Sequence, residues 1–317
     1  MNSLKMLDTK QPAYLSPDTV EEAVKLASLF KDSFSYVAGG TDLWVNRYQG
    51  NNQSNCLIDI SQIQELQTIS VADQKLKIGA LVKLDQLRNY PEIRNNFPTL
   101  IEAAHSVGSP LIRKMGTLGG NILCENRCTF YNQSDLWREA INYCLKSGGD
   151  ICIATGGTKV CYSEFVSDTA PALISLDAQV EIFDKNNTEI FKLEEIYTGD
   201  GIHPRKLSKT AIIKFILLPL KQKYRAVFKK LRPRKSMDFT SLTTAVSFYK
   251  DGGLKIALGG VSPKPVVIES NIGENQDALI KEALKLCKTV DNDVYSRLYR
   301  REMIRQFLSK SFEELSI

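Results

Sequence analysis

Histidine is scarce in this chain of 317 residues: there are two, His105 and His203, and neither falls among the clustered cysteines. The scarcity matters because structural zinc sites draw on Cys with His, or on Cys pairs two to four residues apart. Long apolar runs are missing as well. The longest, AIIKFILLPL at Ala211 to Leu220, contains a lysine and falls far short of the roughly 20 residues that a spanning helix needs. The opening MNSLKMLDTK has no apolar core behind it of the kind found in a secretory signal. No membrane span is expected, and a cytoplasmic protein is. Charge of one sign is not concentrated either: 41 Lys and Arg stand against 36 Asp and Glu, and only Lys229 to Lys235 (KKLRPRK) forms a basic run. A nucleic-acid footprint would be a sustained basic face with interleaved aromatics, so no nucleic-acid partner is expected. No internal repeat or low-complexity tract occurs.

What is abundant is cysteine in one place. Of seven, Cys124, Cys128, Cys144, Cys152 and Cys161 fall in one stretch rich in Gly, Asn and Lys, and the last four are spaced C-x15-C-x7-C-x8-C. In a reducing compartment an odd number of thiols does not suggest disulfides, and a local crowd suggests a ligand set. The residues leave three readings open: an iron–sulfur cluster, zinc, or unligated buried thiols. Cys124 and Cys128 form one zinc-like pair, but the remaining three are widely separated. Cys56 and Cys287 lie in apolar patterns and read as core residues.

The length suggests two or three compact units of α+β class. LSPDTVEEAVKLASLF predicts a helix with Ser16 as cap and Pro17 at its first position. SYVAGGTDL and CLIDIS predict strands, which makes residues 1–60 a small α/β unit. A second unit covers 61–207. The stretch 122–164 has few periodic apolar positions and many turn formers, and so reads as an insertion carried by that unit. From 208 to 317, alternating strands followed by two helices predict a separate α+β domain with its helices on one face of a sheet.

Two strings look built for a ligand. VAGGTDL at Val37 to Leu43 places adjacent glycines after a strand, where the backbone can approach an anion and present N–H groups. It is neither the GxGxxG fingerprint nor a P-loop, and a plain tight turn is the competing reading. TLGGN at Thr117 to Asn121 repeats the same physics about 75 residues later. Two separated glycine loops fit a flavin dinucleotide held between subdomains better than a nicotinamide cofactor.

Taken in order, VAGGTDL, IGALVKLDQL (Ile78 to Leu87), IRKMGTLGGN (Ile112 to Asn121), SDTAPALISLDA (Ser167 to Ala178) and IALGGVSPKP (Ile256 to Pro265) resemble the FAD-binding subunit of the molybdenum hydroxylase family. The likeness runs over nearly the whole chain. It implies a two-subdomain FAD-binding domain of the vanillyl-alcohol-oxidase/PCMH type at 1–207, followed by the C-terminal domain. The insertion, with CENRCTFYNQSDLWREA and its cysteine spacing, resembles the reductase branch of the family, the β subunit of 4-hydroxybenzoyl-CoA reductase.

On that resemblance Cys128, Cys144, Cys152 and Cys161 hold a [4Fe–4S] cluster and Cys124 is left without a role. Tyr36, Val37, Ala38, Gly39, Gly40, Thr41, Asp42 and Leu43, with Thr117, Leu118, Gly119, Gly120 and Asn121, hold the diphosphate and ribitol of FAD by main-chain donors. Val107 lines the dinucleotide pocket, Asp168 hydrogen-bonds the cofactor, and the Lys230 cation approaches the isoalloxazine. Read without the resemblance, Lys230 is a solvated lysine in a basic run. The implied partners are a large molybdopterin-binding subunit and a small [2Fe–2S] subunit, in a dimer of heterotrimers. Ferredoxin or a similar low-potential carrier supplies electrons that pass by [4Fe–4S] and FAD toward molybdenum, where an aromatic hydroxyl is removed. The alternatives are the flavin subunit of another molybdenum dehydrogenase, of xanthine, N-heterocycle or aldehyde type, and a non-enzymatic zinc-loop module.

Overall fold

The computed structural model describes residues 11–316 apart from 32 and 222, so the opening decapeptide read for a leader lies outside the described residues. Strands β1 (Ala13–Leu15), β2 (Phe34–Val37) and β3 (Cys56–Asp59) form a parallel sheet in the order β1-β3-β2. The crossover between β1 and β2 is the helix Val20–Leu29, which buries Val20, Ala23, Val24 and Ala27 at helical spacing. Its cap is Thr19 rather than Ser16. The Thr19 hydroxyl accepts the Glu22 N–H at 3.1 Å while the Glu22 carboxylate accepts the Asp18 N–H at 3.1 Å, so two end donors are satisfied around Thr19.

Strands β4 (Ile69–Ala72), β5 (Lys75–Gly79), β6 (Gln179–Asp184), β7 (Asn187–Lys192) and β8 (Ile212–Pro219) make an antiparallel sheet in the order β4-β5-β8-β6-β7. The boundary expected at residue 208 is therefore corrected. β8 is the central strand of the second unit, paired on both sides, and its apolar run is buried because both of its faces are covered. Strands β9 (Tyr224–Leu231), β10 (Leu242–Tyr249), β11 (Gly253–Gly259) and β12 (Val266–Asn271) form the C-terminal antiparallel sheet, ordered β12-β11-β10-β9. Helices Gln276–Leu286 and Arg297–Leu315 cover one face of it, with Ile304, Leu308 and Phe312 packed into a core with Leu242, Ile256 and Leu258. The α+β class and the C-terminal sheet-and-helix unit are as the sequence led us to expect.

The insertion leaves the helix Leu118–Ile122 and returns to the helix Thr169–Ser175. Regular structure within it is limited to the helix Asp135–Ala140 and one 3-10 turn, Leu145–Ser147. Its two ends meet in an antiparallel bridge between Arg127 and Glu164, whose N–H groups donate to each other's carbonyls at 2.9 and 2.7 Å. No helix among the described residues is long and apolar enough to cross a membrane.

Candidate cofactor sites

A cavity of about 810 Å³ lies where the first two sheets meet the β9–β10 turn. That is a volume suited to a large cofactor. Thirteen of the residues that the resemblance assigns to FAD line it: Tyr36, Ala38, Gly39, Gly40, Thr41, Asp42, Leu43, Val107, Thr117, Gly119, Gly120, Asn121 and Asp168. Val37 and Leu118 do not; both are buried, at the end of β2 and in the second unit's core.

The two glycine strings play different parts. In the first, Gly40 has φ +71°, and a Cβ on Gly39 would fall 2.1 Å from the Met115 carbonyl oxygen, so the turn and the neighbouring backbone both require glycine. Among the described residues, the Gly39, Gly40 and Thr41 N–H groups, in the turn between β2 and the helix Leu43–Tyr48, have no protein acceptor. Three unpaired donors on cavity-lining residues of one tight turn are suited to an anion such as a diphosphate. In the second string the donors are already in use. Leu118 N–H goes to Val82 O, Gly119 N–H to Ala80 O, Gly120 N–H to the Thr117 hydroxyl and Asn121 N–H to Thr117 O. Thr117 to Asn121 thus forms a close wall, since a Cβ on Gly119 would meet the Ala80 Cβ at 2.7 Å. Gly40 is the cleaner position to test. We expect Gly40→Val, which forces a β-branched residue into left-handed backbone and against Trp44, to weaken FAD binding about tenfold or more, read by fluorescence titration. Unchanged affinity would mean an ordinary turn.

Asn121 joins strings that lie far apart in the sequence. Its Oδ1 accepts from the Ser167 hydroxyl at 3.0 Å, from Thr169 N–H at 3.1 Å and from the Thr169 hydroxyl at 2.6 Å. GGN and SDT are therefore one structural unit, and the adjacent Asp168 is held at the cavity wall. The Asp168 carboxyl is pushed up by burial, with Lys230 opposing. Lys230 does not line the cavity: its ammonium donates to Asp168 at 2.7 Å, to Ser106 O at 3.0 Å and to Asp238 O at 3.1 Å. Both partners of this ion pair are about 95% buried, so the cation is neither the solvated lysine of a basic run nor free to face a ring.

The cysteines divide between two places. Cys128, Cys144, Cys152 and Cys161 line one small cavity, whereas Cys124 lines the large one. As folded, the four thiols close on about 10 Å³, room for about one water, and no three His, Cys, Asp or Glu side chains among the described residues converge tightly enough to hold a single ion. The donor set is all thiol, as cluster chemistry wants, and a four-iron cubane is larger than one ion, so occupancy requires these side chains to spread outward. Burial pushes the Cys128 thiol up to about 12 and also raises Cys161, so thiolates here need a cation to sustain them. Cys56 and Cys287 are buried in the cores of the first sheet and the C-terminal domain, as their apolar patterns implied.

Several residues at or beside the wall carry little signal in the sequence. Tyr131 and Lys146 face both cavities, with the Lys146 ammonium 4.8 Å from the Tyr131 ring centroid. Glu125 receives Lys146 at 3.1 Å and Arg205 at 3.2 Å. Burial would raise its carboxyl, but these two cations outweigh burial and hold it down at about 2. Arg127 binds Asp42 at 2.5 Å and lies 4.2 Å from the Phe239 ring centroid, which ties the insertion to the first glycine turn and to the β9–β10 loop. The alternation of Glu125 and Arg127 inside CENRC was the one available hint of this network.

Comparison with known proteins bears on the large cavity. Residues 7–221 match the FAD binding domain in molybdopterin dehydrogenase. The nicotinate dehydrogenase FAD-subunit of Eubacterium barkeri is 29% identical over 227 residues, covering 71% of this chain and 64% of that protein. The aldehyde oxidoreductase FAD-binding subunit of Escherichia coli K12 is 29% identical over 248 residues, 74% of this chain and 77% of that one. In fold, the chain is similar to carbon monoxide dehydrogenase from Hydrogenophaga pseudoflava, with TM-score 0.76 and 20% identity across 96% of this chain and 97% of the other. With two thirds of its length matched, including both glycine strings that wall the cavity, this chain belongs to the family of FAD-binding domains of molybdopterin dehydrogenases.

Proposed function

We propose that this chain is the FAD- and [4Fe–4S]-carrying electron-transfer subunit of a molybdenum hydroxylase-family oxidoreductase, of the 4-hydroxybenzoyl-CoA reductase kind. Its partners would be a molybdopterin-binding subunit and a [2Fe–2S] subunit in a dimer of heterotrimers, with ferredoxin or a similar low-potential carrier supplying electrons. The observation that carries this reading is the common wall: Tyr131 and Lys146 separate the large cavity from the cavity lined by the four thiols. FAD, when bound, supplies an exchange between one-electron and two-electron carriers. The protein's share is positional. Gly39 to Thr41 receive an anion, Asp42 is fixed by Arg127, Asp168 is fixed by Lys230, and the glycine wall at Thr117 to Asn121 closes the cavity beside the first glycine turn.

A second reading, the flavin subunit of another molybdenum dehydrogenase, draws on the nicotinate and aldehyde enzymes among the relatives. The visible spectrum and metal content of the purified chain test the cluster. Flavin bands near 450 nm over a broad iron–sulfur shoulder, with about four irons per chain, are expected. Flavin without iron would leave the second reading standing, and a colourless zinc protein would sink both.

A further inference from the structure

Two residues that line the large cavity each carry a buried amide oxygen with no donor. Asn46, 4% exposed, and Asn51 both line it, and the Oδ1 of each is buried without a hydrogen-bond partner. Their orientations are set by their amide nitrogens. Asn46 Nδ2 donates to Asp42 O at 2.9 Å, and Asn51 Nδ2 donates to Gln49 Oε1 at 3.2 Å, so flipping either amide would lose that bond. The backbone holds the pair together as well, because Asn46 O accepts the Asn51 N–H at 2.8 Å. A buried acceptor left unmet is costly, so whatever fills this stretch of the cavity must bring a donor.

That requirement sorts the parts of a dinucleotide. Its phosphates are acceptors and suit the free N–H groups of Gly39 to Thr41, a few residues away. Its sugar and ribityl hydroxyls and its adenine amine are neutral donors. We infer that Asn46, supported by Asn51, is a specificity residue of the dinucleotide site that accepts a hydrogen bond from a hydroxyl or amine of the bound cofactor. The paired acceptors exclude phosphate from this stretch and so fix the direction in which the cofactor lies. The inference rests on the FAD reading of the cavity.

The test uses the full chain freed of flavin, titrated by fluorescence with FAD and with analogues lacking the adenine amine, the adenosine ribose hydroxyls or the ribityl hydroxyls in turn. For the unaltered protein, one analogue is expected to bind about tenfold more weakly than FAD, and its identity names the donor. Asn46→Leu should bind FAD about tenfold more weakly and lose nothing further with that analogue. Equal affinity of the unaltered protein for all four ligands, or losses that add in full between variant and analogue, would overturn the inference and assign the acceptor to water. Because the analogue arm needs no substitution, a poorly folding variant does not obscure the answer. Failure of the unaltered chain to bind any flavin would instead overturn the FAD reading itself.

Discussion

On the proposed [4Fe–4S] reading, Cys144→Ser is expected to remove about four iron atoms per chain while FAD stays bound. A cubane held by four thiolates is lost as a unit when one ligand becomes a poor one. The large cavity, by contrast, is built mainly from the first two sheets, the glycine strings and the β9–β10 turn, with a few residues from the insertion. Cys128→Ser should behave in the same way. Cys124→Ser should keep its iron, because Cys124 lines the other cavity, its carbonyl accepting from Arg205 at 2.5 Å. Iron measured by elemental analysis, and flavin released by acid and measured by absorbance, read the two cofactors separately. Full iron retention in Cys144→Ser would contradict the ligand set, and iron loss in Cys124→Ser would put the wrong member of the CENRC pair in it.

These assignments could be approached from sequence because the spacing of thiols and the glycine strings are local patterns. Local periodicity likewise located the helix Arg297–Leu315 and the strands β9 to β11, since each element's own apolar face records how it packs. What periodicity does not encode is which strands become neighbours. β8 follows β7 in the chain but inserts between β5 and β6, and an apolar run looks the same in either sheet, so the domain boundary came out too early. Charge partners were hidden for the same reason. Lys230 meets Asp168 across 62 residues, and in a string of basic residues nothing distinguishes the one that folds inward. The orphan acceptor of Asn46 is less legible still. It is defined by a missing partner, and only the folded hydrogen-bond inventory reveals that.

Arg300→Met is expected to give the largest loss of stability, about 3–5 kcal/mol, by breaking a fully buried ion pair. Arg300 is 0% exposed and binds Glu164, the last residue of the insertion, while donating to Gly260 O at 2.9 Å, to Val290 O and to Asn292 Oδ1 at 3.3 Å. Asn292 in turn holds both ends of the insertion, accepting Thr129 N–H on its carbonyl at 3.1 Å and donating to Tyr162 O at 2.8 Å. The C-terminal helix Arg297–Leu315 therefore clamps the neck of the cysteine loop, and its arginine is far in sequence from the four clustered thiols. If the proposed cluster is held there, iron content should fall in Arg300→Met although every cysteine remains.

The pH dependence has a definite sign. Burial pushes the Glu164 carboxyl well up even with Arg300 opposing it, and removing Arg300 leaves burial and the nearby Asp293 charge, which both raise it. An acid whose folded pKa is raised gives its full stability below the unfolded value and loses it as pH rises, so the penalty of Arg300→Met should be smaller at pH 5 than at pH 8. Arg300→Met with Glu164→Leu should recover stability, since it removes the stranded charge along with its partner. Urea unfolding at both pH values measures these differences. A single variant within about 1 kcal/mol of the unaltered protein, below the cost of even one stranded buried partner, would show that the clamp lies elsewhere.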